Sequence, residues 1–332
     1  MASMQWGQYA PADKILVHLS DTHFLADAAA LYGTVDTDTT VHRALEQLHR
    51  SGIRPDALII TGDVADRGEA DAYRRIRGIV ESAAAQWQAK VIWVMGNHDQ
   101  RAAFRSVLLG QDQPGEAAAP FVQDANVRDP ADQDLVDQDP VDQDPVDQDP
   151  VDQVHDLDGL RVIALDTSVP GYHHGEVTAA QLEWLRGVLS TPARHGSILA
   201  LHHPPIPTPL PLMSVLELQE QPRLAAVLAG SDVRAILGGH LHYATQGLFA
   251  GIPVSVAAAT CYTMDLSAPE RELTGVNGGR TLNLVHVYGD EITHSQVPIG
   301  AFDTATHFPA DYVDRLAALS PEARLEAFSR QL

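Results

Sequence analysis

A chain of 332 residues with 45% hydrophobic content is long enough to bury a large core in one domain or in two modest ones. Its formal charge of −22, with two lysines among 22 basic residues and no basic cluster, repels phosphate backbones and argues against polymeric nucleic acid as a partner. The single cysteine, Cys261, can form neither an internal disulfide nor a thiolate cluster, so a bound metal would need oxygen and nitrogen ligands. The N-terminal stretch has no basic segment leading into an apolar run, and no apolar stretch reaches the length of about 18 residues needed to span a bilayer. A soluble, cytoplasmic protein without a transmembrane segment is expected.

In chain order, residues 14 to 20 (KILVHLS) predict a strand and 40 to 50 a helix ended by Gly52. Residues 56 to 63 (DALIITGD) predict a second strand, 69 to 85 a second helix and 90 to 97 (KVIWVMGN) a third strand. This βαβαβ order favours a parallel sheet covered by helices. From Asp129 to Gln153 a pentapeptide repeats five times as DPADQ, DLVDQ, DPVDQ, DPVDQ and DPVDQ, with ten aspartates and no base. Such a stretch cannot bury enough apolar surface to offset its ordering entropy, and it reads as a disordered surface insertion. A calcium loop is disfavoured because it lacks the glycine turn and the ligand variety.

After the insertion, strands are expected at 160 to 167, 197 to 203 and 233 to 240, with helices at 179 to 189 and 222 to 229 between them. Residues 251 to 260 and 281 to 299 read as strands without intervening helices. The fold class is α/β, with two sheets packed in one sandwich and helices outside. The expected organisation is one domain over 1 to 310, interrupted at 129 to 153, followed by an amphipathic helical tail at 311 to 332. Burial against the protein's own core is the expected fate of that tail, with docking to a partner or an envelope surface as the alternative.

The apolar strands end in a common style. Asp21 and His23 follow the first, Asp63 the second, Asn97 and His98 the third, His202 and His203 a later one, and His240 and His242 the last. In open α/β sheets, ligand sites gather at the carboxyl ends of strands, so these groups should converge on one edge. Asp21, Asp63 and Asn97 offer oxygens, and His23, His202, His240 and His242 offer imidazoles, a donor set suited to manganese, iron or zinc. Seven ligands are too many for one ion with an open position, and they suit two ions sharing a carboxylate. Asp21 and His23, like His240 and His242, are two residues apart and would point the same way on an extended chain. Gly62, Gly96, Gly238 and Gly239 would let the backbone pass close to the ions.

In this order the Asp-x-His, Gly-Asp, Gly-Asn-His-Asp, His and Gly-His-x-His elements resemble the calcineurin-like metallophosphoesterases, and within them the class III cyclic nucleotide phosphodiesterases. The stretches LYGTVD, RPDALIITGDVADRGE, VIWVMGNHDQRA, LDTSVPG and ILALHHPPIP carry the likeness. The resemblance implies a four-layer α-β-β-α sandwich of two mixed sheets. It implies that Asp21, His23, Asp63 and His242 hold one ion, often iron, and that Asp63, Asn97, His202 and His240 hold the other, often manganese, with zinc as an alternative. It further implies hydrolysis of 3′,5′-cyclic AMP to 5′-AMP by a hydroxide held between the ions, and it allows a homodimer. The substrate phosphate is expected against Asn97, His98, His23, Asp63 and His242. His98 would protonate the leaving oxygen, Asp66 would orient its imidazole by accepting the other N–H, and His173 would reach in from a neighbouring loop.

His18, His286 and His294 read as structural, His42, His49 and His195 as surface residues, and His203 as turned away from the metals. Cys261 is expected to pack, and Arg67 to be a surface ion-pair partner or a phosphate contact. The rival readings are a 2′,3′-cyclic nucleotide or general phosphodiesterase and a non-catalytic binding protein on the same fold. Protein phosphatases and purple acid phosphatases fit less well, because Asp99 stands in the Gly-Asn-His-Asp block and no tyrosine adjoins Asp63.

Overall fold

The computed structural model describes residues 6 to 111 and 149 to 330. The chain begins with β1 (Lys14–Leu19), α1 (Thr37–Ser51), β2 (Ala57–Thr61), α2 (Ala70–Trp87) and β3 (Lys90–Val94), the expected βαβαβ unit. A short turn, α3 (Arg101–Ala103), runs into a π-helical segment at Phe104–Leu108. There follow β4 (Gln153–Leu157), β5 (Leu160–Leu165), the small hairpin β6 (Ser168–Val169) and β7 (Tyr172–Gly175), α4 (Ala179–Leu189) and β8 (Ser197–Leu201). Next come α5 (Pro211–Val215), α6 (Gln221–Leu228), β9 (Val233–Gly238), β10 (Thr245–Phe249) and β11 (Ile252–Val256). The chain closes with β12 (Thr263–Met264), β13 (Gly275–Val276), β14 (Thr281–Val287), β15 (Ile292–Pro298), α7 (Ala310–Ala317) and α8 (Pro321–Ser329).

The strands form two mixed sheets, ordered β15-β14-β1-β2-β3 and β10-β11-β9-β8-β5-β4. In the first, β1, β2 and β3 are parallel and β14 and β15 antiparallel; in the second, β5, β8, β9 and β11 are parallel, with β4 and β10 as antiparallel edges. Alternation along each strand sorts its apolar residues into two layers. Leu16, Ile59, Ile92, Val162, Ile198 and Val285 meet between the sheets. Val17, Leu58 and Ile60 face the buried stripes of α1 and α2, while Ile163, Leu199 and Ile236 face α4 and α6.

Local chemistry sets the helix ends. The Asp36 carboxylate accepts from Thr39 N at 3.0 Å and starts α1, and Gly52, at φ 74°, ends it. A reciprocal capping box between Thr178 and Gln181 starts α4.

Three expectations need correction. The edge strands β4 and β10 alternate half-buried and exposed residues and carry no apolar run, which is why the sequence did not announce them. The composition of the repeat block 129 to 153 predicts disorder. Residues 129 to 148 lie outside the described residues, but the fifth copy, Asp149 to Gln153, is built into the fold. There Val151 is buried against the first outer core, its N–H donates to Asp166 at 3.0 Å, and the Asp152 carboxylate accepts from Asp166 N at 2.8 Å and Gln181 Nε2 at 3.0 Å. One valine packs and the polar atoms find partners, which the repeat composition alone could not reveal. The tail forms two helices, broken where Ser320 caps α8 ahead of Pro321, and neither helix has a buried residue. Its apolar side chains instead gather among themselves, Phe308 against Tyr312 and Phe328.

Candidate metal centre

The predicted side chains converge at the carboxyl ends of β1, β2, β3, β8 and β9, but not on extended backbone. Asp21 (φ 51°), His23 (45°), Asp63 (48°), His240 (68°) and His242 (56°) all sit in the left-handed region. The expectation that residues two apart would point the same way on a strand therefore fails. The chain leaves each strand through single left-handed residues, and these aim the side chains into a common centre. Such backbone costs of order 1–3 kcal/mol per residue and persists only where surroundings fix it. Here the loops brace one another: Asp21 N donates to Gly62 O at 3.1 Å, His23 N to Asp63 O at 2.9 Å, His98 N to the Asp63 carboxylate at 2.9 Å, and His240 N to that of Asp21 at 3.1 Å.

Glycine is required at two of these crossings. A Cβ on Gly96 would lie 2.2 Å from the Asp63 backbone nitrogen and carboxylate, and one on Gly239 would lie 1.9 Å from Ser20 Oγ.

Within this frame the donor atoms of Asp21, His23, Asp63 and His242 lie within 4.8 Å of one another. Asp63 Oδ2 is 3.4 Å from His23 Nε2 and 3.3 Å from His202 Nε2, so one carboxylate faces both ligand groups. His202 Nε2 is also 3.0 Å from Asn97 Oδ1, and His23 Nε2 is 3.2 Å from His242 Nε2. The rear nitrogens are tied: Nδ1 of His202 to Thr61 O at 2.7 Å, of His242 to Tyr262 O at 3.2 Å, and of His23 to Asp66 Oδ1 at 2.9 Å. Each tie engages Nδ1, so that Nε2 is the nitrogen aimed inward and offers a lone pair to a cation once it gives up any proton it holds. His240 Nε2 is buried and has no hydrogen-bond partner.

The charges fit this geometry. Burial pushes Asp21 up to about 6, with the nearby Asp63 adding to the shift and His202 opposing it. Burial also opposes ionisation of Asp63, but the charges of His202 and His98 hold it well below the usual carboxylate range. His202 would be lowered by burial, yet Asp63 raises it to about 9, whereas burial pushes His240 and His242 well down. Buried carboxylates, facing imidazole lone pairs and an orphaned Nε2 are costly in a dry interior and become favourable around cations, so these residues fit a metal centre of oxygen and nitrogen donors. Cys261 Sγ lies 3.7 Å from His242 Nδ1, and burial raises its thiol to about 12, which keeps it neutral.

At the rim, one predicted contact is exchanged for another. Asp66 was expected to orient His98 through its carboxylate. Instead the carboxylate holds His23, and it is the backbone oxygen of Asp66 that takes His98 Nδ1 at 2.9 Å, the carboxylate standing 3.8 Å from that ring. His23, already buried beside Asp63, outcompetes the more exposed His98 ring. His173 reaches the site as expected, its Nδ1 2.8 Å from Asn97 Nδ2 and its ring 5.1 Å from that of His98, while His174 turns to Glu176. Both nitrogens of His203 are engaged, by Thr167 Oγ1 and His173 O. Arg67 is largely exposed, 3.9 Å from Asp66.

Sequence reasoning missed two supports. The Asp99 carboxylate, buried behind the centre, accepts from Gly96 N at 2.9 Å, from Val64 N and Ala65 N at 3.1 Å and from Tyr73 Oη at 2.9 Å, so one side chain clamps the loops after β2 and β3. The buried pair Arg101–Asp166, at 3.1 Å, ties the segment after His98 to the loop leading to His173. The only signal in the sequence was a charged residue within three positions of His98.

Comparison with known proteins agrees with this geometry. The family model described as Calcineurin-like phosphoesterase matches residues 15–244. A cAMP/cGMP dual specificity phosphodiesterase of Mycobacterium tuberculosis is 47% identical over 93% of this chain and 86% of its own length. A probable cyclic nucleotide phosphodiesterase of Rhodococcus erythropolis is 49% identical over 91% of this chain and 89% of its own. Among solved structures, a dimetal phosphatase from Danio rerio superposes with a TM-score of 0.55 at 14% identity, covering 87% of this chain and 97% of that one, which is likeness of fold alone. With the family model matching more than half of its length and a relative 47% identical over most of both chains, the chain belongs to the calcineurin-like phosphoesterases.

Proposed function

We propose that this protein is a metal-dependent phosphodiesterase that hydrolyses 3′,5′-cyclic nucleotides, cyclic AMP among them, to 5′-nucleotides. The observation that carries the two-metal part of this reading is the Asp63 carboxylate, which faces His23 on one side and His202 on the other. Asp21, His23, Asp63 and His242 would hold one ion, and Asp63, Asn97, His202 and His240 the other, with iron and manganese suited to the donor set. Two such ions would neutralise charge on the phosphate and lower the pKa of water for attack on phosphorus. The cyclic nucleotide part is supported by the names of the two relatives that share nearly half of their residues with this chain.

The protein's own residues do the rest. Asn97 presents its oxygen to the centre because its amide nitrogen meets His173 Nδ1. His98 has Nδ1 engaged by the Asp66 carbonyl, which leaves Nε2 to face the substrate. As the P–O3′ bond breaks, the imidazolium form of His98, its Nδ1–H held by the Asp66 carbonyl, gives its Nε2 proton to O3′, a poor leaving group without it, and is left as the neutral ring. The test is a side-by-side hydrolysis assay of 3′,5′-cyclic AMP and 2′,3′-cyclic AMP on Mn²⁺-reconstituted protein, with Asp63→Ala as blank. Preference for the 3′,5′ ring is expected. Preference for the 2′,3′ ring would keep the chemistry and replace the substrate, and no turnover in a verified two-metal sample would leave a binding protein.

A further inference from the structure

One tyrosine packs against the centre and a second packs against the first, and the chemistry above uses neither. The Tyr262 ring packs 4.5 Å from that of His242, and Gly275 lies so close that a Cβ there would meet the Tyr262 ring at 2.8 Å. Tyr262 is thereby half-buried between them. Tyr32 stands edge-on to it, ring centroids 5.5 Å apart and hydroxyls 3.4 Å apart, yet is itself 61% exposed.

The backbone that carries Tyr32 is unusual. Its φ of 51° is a conformation that bulky side chains rarely adopt. The strain is held by a turn closed at both ends, Leu31 N to Val35 O and Val35 N to Leu31 O, each at 2.9 Å. Leu31 and Val35 are buried in a small cluster with Leu25, Ala259 and Cys261, and Cys261 touches His242 from behind. The same cluster thus anchors the turn and backs a proposed metal ligand, so the exposed ring is fixed relative to the centre although it sits on a loop. Left-handed backbone at a bulky residue, held in place by its surroundings, invites a functional explanation.

We propose that Tyr32 is the stacking platform for the base of the nucleotide substrate and the residue that favours nucleotide diesters over diesters without an aromatic group. The inference rests on the cyclic nucleotide reading above. The proposed ligands grip phosphate, which every diester shares, so discrimination needs a contact remote from phosphorus. An aromatic face supplies it, and because every base has a π-face, the contact accepts adenine and guanine alike while giving purines more overlap than pyrimidines.

The test is steady-state kinetics of the Tyr32→Asn full-length protein, since asparagine tolerates left-handed backbone and removes the ring. KM for 3′,5′-cyclic AMP should rise about 10-fold, with kcat, bound metal and competitive inhibition by inorganic phosphate unchanged. Tyr32→Trp should restore KM. An unchanged KM overturns the platform, and so does a fall in kcat accompanied by metal loss, which would make Tyr32 part of the scaffold of His242. If the unsubstituted protein cleaves bis(p-nitrophenyl) phosphate but not cyclic AMP, the substrate reading fails first and takes the platform with it.

Discussion

Two groups of enclosed histidines in this molecule differ in their surroundings. At the loop edge, His23, His202, His240 and His242 are buried with Asp21 and Asp63. On β1 and β15, His18 and the half-buried His294 lie near each other, and no carboxylate contributes to their shifts. Burial lowers His18 to about 3 and His294 to about 4, so both rings are neutral. At the edge, Asp63 reverses the effect of burial for His202. Burial removes charge from imidazole unless an anion outweighs it, as Asp63 does for His202 but not for His240 or His242, and only the region that also buries anions is suited to a cation.

The comparison breaks most readily at Asp63. Asp63→Ala should remove both ions, seen by elemental analysis of the purified protein, and lower turnover by at least about 10³-fold. The matching change in the other region, His18→Gln, should leave metal content intact. Two ions retained in the Asp63 variant would end the shared-carboxylate reading. His98→Ala comes next, with kcat reduced by roughly 10²–10⁴-fold and both ions kept. A p-nitrophenyl ester, whose leaving group needs no proton, should lose much less. An ion missing from this variant would make His98 a ligand instead.

Asp66→Asn separates the expected contact from the observed one. Because its carboxylate holds His23 and only its carbonyl meets His98, the substitution should weaken metal affinity by about 10–100-fold while leaving kcat nearly unchanged in saturating metal. A kcat defect that persists at saturation would return the carboxylate to His98. Here the limit of the sequence is plain. That these polar side chains gather at strand ends was legible, because the apolar runs stop at Asp21, Asp63, Asn97, His202 and His240. The close approaches at Gly96 and Gly239 were legible as glycines. Which atom of Asp66 meets which ring was not, since backbone and side chain of one residue compete for two histidines distant in sequence. The left-handed turns were not legible either, because nothing in Asp-x-His distinguishes a strand from a pair of turns. Nor was the anchoring of the fifth repeat, whose Val151 is identical in type to the valines before it, so that composition could not single it out.

The smallest effect tests the neutral region directly. The folded pKa of His18 lies below its ordinary 6.5, so between pH 6.5 and about 3 the unfolded chain binds a proton that the folded one does not. That stability is fully present above pH 6.5 and is lost as pH falls, by about 1.4 kcal/mol per unit in the linear part of the window. His18 Nε2 meets Thr61 Oγ1 at 2.8 Å, a contact that glutamine can make without titrating. Thermal or urea unfolding of Asp63→Ala protein, with and without His18→Gln, removes metal release from the measurement. From pH 6.5 to 5.5 the double variant should lose about 1 kcal/mol less than the single one. Equal losses would mean that His18 takes up a proton in the folded state as readily as in the unfolded chain. An anion would then have to lie within reach of β1, and the contrast between the two histidine regions would vanish.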